Sequence, residues 1–206
     1  MSEFMSYDPW RGVMTRNGIQ GDLVISALQK SIRRGLAEEA VTFAYEMYIT
    51  SEQFEDKLWR RLQAISVEDV GYGDLSAPVL IHTLNQMRQN FPYTDPDRPI
   101  FFVHAIRYLA AAPKDRTSDN LKNIVIKEFE YGRVPVIPDF AFDMHTEAGR
   151  KMGRDFRHFL AEGSRLENEL AVDENYRVRL LELLDKIEEE KPEKIEDAFT
   201  RNPWQA

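Results

Sequence analysis

The sequence contains no cysteine, which excludes disulfide bonds and thiolate metal sites and is typical of a cytoplasmic protein. No apolar run approaches the roughly 20 residues that span a bilayer. Residues 1–10 also lack the charged and then apolar pattern of a signal peptide. We therefore expect a cytoplasmic protein that makes no membrane contact.

The sequence also lacks an excess of positive charge and a phosphate-binding loop. Its 27 Lys and Arg stand against 35 Asp and Glu, a net charge of −8, so the whole surface is not expected to bind nucleic acid. Gly149 and Gly153 do not form a P-loop, because their spacing is wrong and no Ser or Thr follows Lys151. With no other recognisable catalytic constellation, we expect a non-enzymatic protein without a cofactor.

Apolar residues recur at steps of three and four along most of the chain, which predicts amphipathic helices and an all-α fold. The apolar segment 100–112 is predicted to lie at the centre of a compact bundle, with His104 and Arg107 as a satisfied core contact. The predicted helices cover residues 22–34, 37–48, 52–65, 76–91, 100–112, 117–131, 159–170 and 176–187, with a short one from Thr146.

Several helices have a predicted inward face. Leu80, Leu84, Met87 and Phe91 form the face of the helix from Ser76, and Leu121, Val125 and Phe129 that of the helix near Thr117. Residues 134–138 must be extended, because neither Pro135 nor Pro138 fits a helix interior.

Residues 66–74, called the elbow below, are predicted to make a tight connection between two helices. Ser66 is placed to cap a new helical turn, with the carboxylate of Asp69 three residues later as in a capping box. Gly71 and Gly73 are expected to adopt positive φ and end that turn. The elbow residues that we single out are Ser66, Glu68, Asp69, Gly71 and Asp74.

Glu68 and Asp69 are adjacent, so on a helical turn they point about 100° apart. We therefore expect no shared acid–base role. An ion pair from Glu68 to a basic helix is the more economical expectation.

Three stretches resemble, in the expected order, the C-terminal region of the MgsA/RarA-type AAA+ ATPases of stalled replication forks. The first lies in residues 23–33 and the third in 108–114. The second contains Arg60-Arg61-Leu62 and the elbow. The chain departs from the family at Arg34-Gly35-Leu36, where the family has a Gly-Ser-Asp turn, and at residues 155–159, where it has a Gly-Tyr-rich stretch.

The resemblance implies a domain that acts in oligomerisation after the ATPase core, similar to a clamp-loader collar. It implies a homo-oligomer, a tetramer or a dimer, and a possible separately encoded AAA+ ATPase as partner. The resulting expected division is an irregular arm at 1–20, the helical domain at 21–163, additional helices packed on it at 164–190, and a charged tail at 191–206. Our first hypothesis is thus a protein-interaction module without the ATPase core, connected with DNA replication and repair.

Two alternatives remain open, the first of them supported mostly by the family resemblance. If three basic helix faces converge, they would bind DNA phosphates despite the acidic total. These candidates are Lys30, Arg33 and Arg34; Lys57, Arg60 and Arg61; and Arg150, Lys151, Arg154 and Arg157. The second alternative is a metal-dependent enzyme, because Asp139, Asp143, His145 and Glu147 lie within nine residues. Their spacing matches no established metal motif.

Overall fold

The computed structural model describes residues 10–171 and 175–193. Within these ranges the fold is all-helical and contains no β-strand, as the sequence predicted. An isolated antiparallel bridge joins Met14 and Gln20. The helices are α1 (Gly21–Arg33), α2 (Ala37–Thr50), α3 (Glu52–Ile65), α4 (Ala77–Arg88), α5 (Pro99–Ala111), α6 (Thr117–Glu130), α7 (Glu147–Lys151), α8 (Phe156–His158) and α9 (Tyr176–Glu190).

The chain divides into two compact units, one that ends at Val134 and one that begins at Pro135. The N-terminal unit contains α1 to α6 and the C-terminal unit contains α7 to α9. The expected domain boundary at residue 163 therefore falls inside the C-terminal unit. No helix in the described ranges is both long enough and apolar enough to cross a membrane.

The helix ends follow local sequence signals. Ser51 caps α3, since its Oγ accepts a hydrogen bond from the backbone N–H of Phe54 at 3.2 Å. Pro78 lies in the first turn of α4, where a missing N–H costs nothing. Gly35 follows α1 with φ of +76°, and Gly132 follows α6 with φ of +91°.

Helices α1 to α5 enclose the hydrophobic core of the N-terminal unit. Helix α5 contacts α1, α2, α3 and α4, which confirms the predicted central helix. Trp59 of α3 and Phe102 of α5 are the largest fully buried side chains. His104 and Arg107 are nevertheless exposed, so the prediction that this pair is a satisfied core contact is wrong. Both lie on the side of α5 that faces away from the core.

A buried ion-pair network joins α3 to α4 and to the loop before α5. Glu55 is fully buried and accepts hydrogen bonds from Arg98 Nη2 at 2.9 Å and from Arg88 Nη1 at 3.0 Å. Arg88 also reaches Asp56 at 2.9 Å. The predicted inward residues Leu80, Leu84 and Phe91 are buried or pack against the core, but the prediction is wrong for Met87, which is exposed. Helix α4 also buries Ala77, Ile81 and Arg88.

Trp10 packs edge-to-face on Phe54 at a ring distance of 4.8 Å. From the sequence we expect Trp10 and Trp204 to fold back onto the protein's own domain, and this is confirmed for Trp10. Trp204 lies outside the described residues, as do Ile195 and Phe199, which we expect to dock weakly from the tail.

The C-terminal unit is built from short helical turns and α9. Thr146 caps α7 by accepting a hydrogen bond from the Gly149 N–H at 3.0 Å, and Asp155 caps α8 in the same way. Helix α8 continues only as the π-helical turn Phe159–Gly163. The predicted helix 159–170 is therefore wrong beyond Gly163, and Leu166 and Leu170 are exposed.

Candidate functional site

The elbow follows α3 as the π-helical turn Ser66–Val70 and the 3-10 turn Gly71–Gly73. Helical backbone continues through Ser66, with φ of −61° and ψ of −29°, so no new helix begins there. The Ser66 hydroxyl is buried and donates to the carbonyl of Gln63 at 2.7 Å. The predicted capping box with Asp69 is therefore wrong.

Asp69 is instead the fully buried acceptor of three side chains from distant parts of the sequence. Its carboxylate accepts from Arg33 Nε at 2.5 Å and from Gln29 Nε2 at 2.9 Å, both on α1. A third hydrogen bond comes from Arg116, just before α6. Burial raises the pKa of Asp69, whereas the hydrogen bonds from Arg33, Gln29 and Arg116 lower it. The hydrogen bonds outweigh burial, so the pKa lies below its ordinary value.

Glu68 forms the expected ion pair with a basic helix. Arg61 Nη2 of α3 lies 3.0 Å from its Oε2, and Arg116 Nη1 lies 3.3 Å from its Oε1. Arg33 also approaches it at 3.5 Å. The carboxylates of Glu68 and Asp69 thus connect α1, α3 and the start of α6. Their role is to hold the tertiary structure together.

Glycine is required at positions 71 and 73 of the elbow for different reasons. Gly71 has φ of +53°, and a Cβ there would overlap the backbone oxygen of Asp115. Gly73 does not have the predicted positive φ, but a Cβ there would lie 2.5 Å from the backbone oxygen of Pro113. Asp74 accepts from the Ser76 N–H at 2.9 Å and so fixes the start of α4.

Of the basic candidates on α1 and α3, two come close to each other, and they do so by pairing with the same carboxylate. Arg33 and Arg61 both pair with Glu68. Arg34 and Arg60 donate to backbone carbonyls one turn earlier in their own helices. Lys57 Nζ lies over the Trp10 ring, 5.4 Å from its centre, and Lys30 is exposed.

The third basic group lies in the C-terminal unit and is also satisfied by acids or carbonyls. Arg154 pairs with Asp139 at 2.6 Å, and Lys151 with Glu147 at 2.5 Å. Arg157 pairs with two carboxylates of α9, and Arg150 donates to the carbonyl of Met144 at 3.0 Å. DNA binding by the three groups stays a prediction.

The four metal-ligand candidates do not come together. Asp139 and Glu147 form the ion pairs just described, whereas Asp143 and His145 contact each other, with 3.0 Å between Oδ2 and Nδ1. Hydrogen bonds from the side chain and backbone of His145 lower the pKa of Asp143. In the part of the chain that the structure describes, no three His, Asp or Glu side chains form a group suited to a metal ion.

Helix α6 differs from the core helices because its apolar side chains are exposed. Leu121 is 62% exposed and Phe129 is 52% exposed, and Ile124, Val125 and Ile126 are exposed as well. The prediction that Leu121, Val125 and Phe129 face inward is therefore wrong. The buried residue of α6 is Asp119 in its first turn, which pairs with Arg116 and with Lys122.

Reasoning from the sequence missed four members of the two ion-pair networks: Arg116, Arg88, Arg98 and Glu55. Only Glu55 gave a usable signal, because it lies next to Phe54 and one turn before Leu58 on the inward side of α3. The three arginines lie near helix ends, where no periodicity marks them.

No protein-family model matches the chain, and no curated protein matches it. The relation to the C-terminal region of AAA+ ATPases stays a prediction.

Proposed function

We propose that the protein is a helical assembly module that self-associates through the exposed apolar face of α6, defined by Leu121, Val125 and Phe129. The observation that carries the proposal is the exposure of these side chains on a regular helix of 14 residues. An amphipathic helix of a globular protein ordinarily buries this face against another element. Contiguous exposed apolar surface is typical of a protein–protein contact.

The arrangement suits a symmetric contact between two copies. Leu121 and Phe129 lie one turn before and one turn after Val125, so a two-fold axis passing near Val125 would bring the same three residues of each copy together. The first turn of α6 is held in place by Asp119 and Arg116, which presents the apolar face on a fixed backbone.

We expect a reversible contact of modest affinity. Leu121, Val125 and Phe129 are each already partly buried, so two copies bury less apolar surface on association than six fully exposed side chains would. Association also costs translational and rotational freedom. The resemblance to a family that oligomerises through this region supports the same proposal.

The test is light scattering on a sizing column with the full chain, at concentrations from about 1 to about 100 µM. We expect the mass to rise from monomer to dimer or tetramer with concentration. Val125→Asp places two like charges at the centre of the contact and should return the chain to a monomer.

The matched control is Asn120→Asp, which adds the same charge about 140° round the same helix. It should leave the mass unchanged. A wild-type chain that is monomeric at all concentrations, or a Val125→Asp variant with the wild-type mass, would overturn the proposal.

A further inference from the structure

Helix α9 carries a second exposed apolar face, in the C-terminal unit. Tyr176, Leu180, Leu183 and Ile187 follow one another at steps of four, three and four, the spacing of a coiled-coil seam. Tyr176 is 67% exposed and Leu183 is 51% exposed. These four residues are called the α9 seam below.

The contacts that hold α9 in its unit lie on another side of the helix. Arg157 Nε is 2.6 Å from Glu188 Oε1, and its Nη2 is 2.8 Å from Asp185 Oδ1. Both carboxylates lie more than about 90° round the helix from Leu183. Arg177 adds a hydrogen bond to the carbonyl of Leu160. Leu180 is half-buried at one edge of the α9 seam, whereas Tyr176, Leu183 and Ile187 are exposed. These three exposed residues do not fix the helix.

One edge of the α9 seam is basic. Arg179 and Lys186 are seven residues apart and lie on the same side of the seam. The Arg179 guanidinium lies over the Tyr176 ring, 5.7 Å from its centre. Lys186 is 3.8 Å from Glu190 in an exposed pair, which is weak and exchangeable. Together with Tyr176, Leu180 and Leu183 they line a shallow groove, which Glu182, on the same side of the helix as Arg179 and Lys186, also lines.

We propose that the α9 seam docks an amphipathic helix of another protein whose own apolar seam is edged by Asp or Glu. Carboxylates one heptad apart would face Arg179 and Lys186. Charge argues against a second copy of α9 as the occupant. An antiparallel pair would set Arg179 against Lys186, and a parallel pair would set Lys186 against Lys191. The inference goes beyond self-association through α6 and is independent of it.

The test uses the full chain and two labelled synthetic helical peptides, with binding followed by fluorescence anisotropy at low salt. Both peptides have Leu at the seam positions. One has Glu at the flanking positions and the other has Lys. We expect the Glu peptide to bind on the order of tenfold more tightly, and the difference to shrink as salt is added.

The decisive variant is Arg179→Glu with Lys186→Glu, which should reverse the preference so that the Lys peptide binds more tightly. A misfolded chain would not show such a reversal. Arg60→Glu with Arg107→Glu makes the same charge change on exposed residues of the N-terminal unit and should leave the preference intact. Leu183→Asp should abolish binding of both peptides.

Equal binding of both peptides, binding of neither, or an unchanged preference in the Arg179→Glu/Lys186→Glu variant would overturn the inference. A loss of self-association in Leu183→Asp, measured by light scattering, would also overturn it, because the occupant would then be a second copy. The Val125→Asp result does not bear on these outcomes, so the two proposals fail separately.

Discussion

Replacement of Glu55 by Gln tests whether the buried network joins α3 to α4 and to the loop before α5. Glu55 is 1% exposed and is the carboxylate that Arg88 and Arg98 share in the core. The variant keeps the size of the side chain but leaves two buried guanidinium groups facing a neutral amide. The amide oxygen accepts fewer hydrogen bonds than the carboxylate, and the amide NH₂ has no acceptor on either arginine.

Removing one partner of a buried ion pair costs about 3–5 kcal/mol, against a total stability of about 5–15 kcal/mol. With a urea dependence of about 2 kcal/mol per molar, the midpoint of unfolding should fall by roughly 2 M. The measurement is urea unfolding followed by tryptophan fluorescence. Trp59 is buried beside Arg88, at 5.7 Å from ring centre to guanidinium, so it reports on this region.

The control is Glu39→Gln, which removes one exposed negative charge from α2 and should change the stability by less than about 0.5 kcal/mol. A loss below about 1 kcal/mol in Glu55→Gln would refute the reasoning, since the carboxylate would then not be compensating two buried cations.

Two predictions concern the elbow. Because the folded-state pKa of Asp69 is lowered, its contribution to stability is complete above the unfolded pKa of about 3.9 and is lost as pH falls below that value. In thermal melts, the stability difference between wild type and Asp69→Asn should therefore be large at pH 7 and shrink below about pH 4; a constant difference would contradict this. Gly71→Ala should destabilise by at least about 1 kcal/mol, because Cβ is strained at positive φ and overlaps Asp115, whereas Gly12→Ala, in open space, should not. Equal melting temperatures for the two variants would contradict the assignment.

Asp69 shows why the elbow was only partly predictable. Its sequence context, three residues after a serine, satisfies the local rule for a capping box. The rule fails because Arg33 and Arg116, 36 and 47 residues away, provide stronger donors inside the folded bundle. A local pattern cannot reveal a partner that only the folded backbone brings near.

The sequence by itself determined the all-α fold, the position of the main helices and the central place of α5. These features depend on short-range periodicity and on residues such as Gly35 and Pro78, which constrain the backbone wherever they occur. Only the tertiary structure decided which apolar faces are covered. The stripes on α3 and α6 look alike as sequence, but Leu58 is buried and Leu121 is exposed. The physical reason is that an apolar stripe predicts a preference for burial, whereas actual burial depends on whether another element occupies the space beside it.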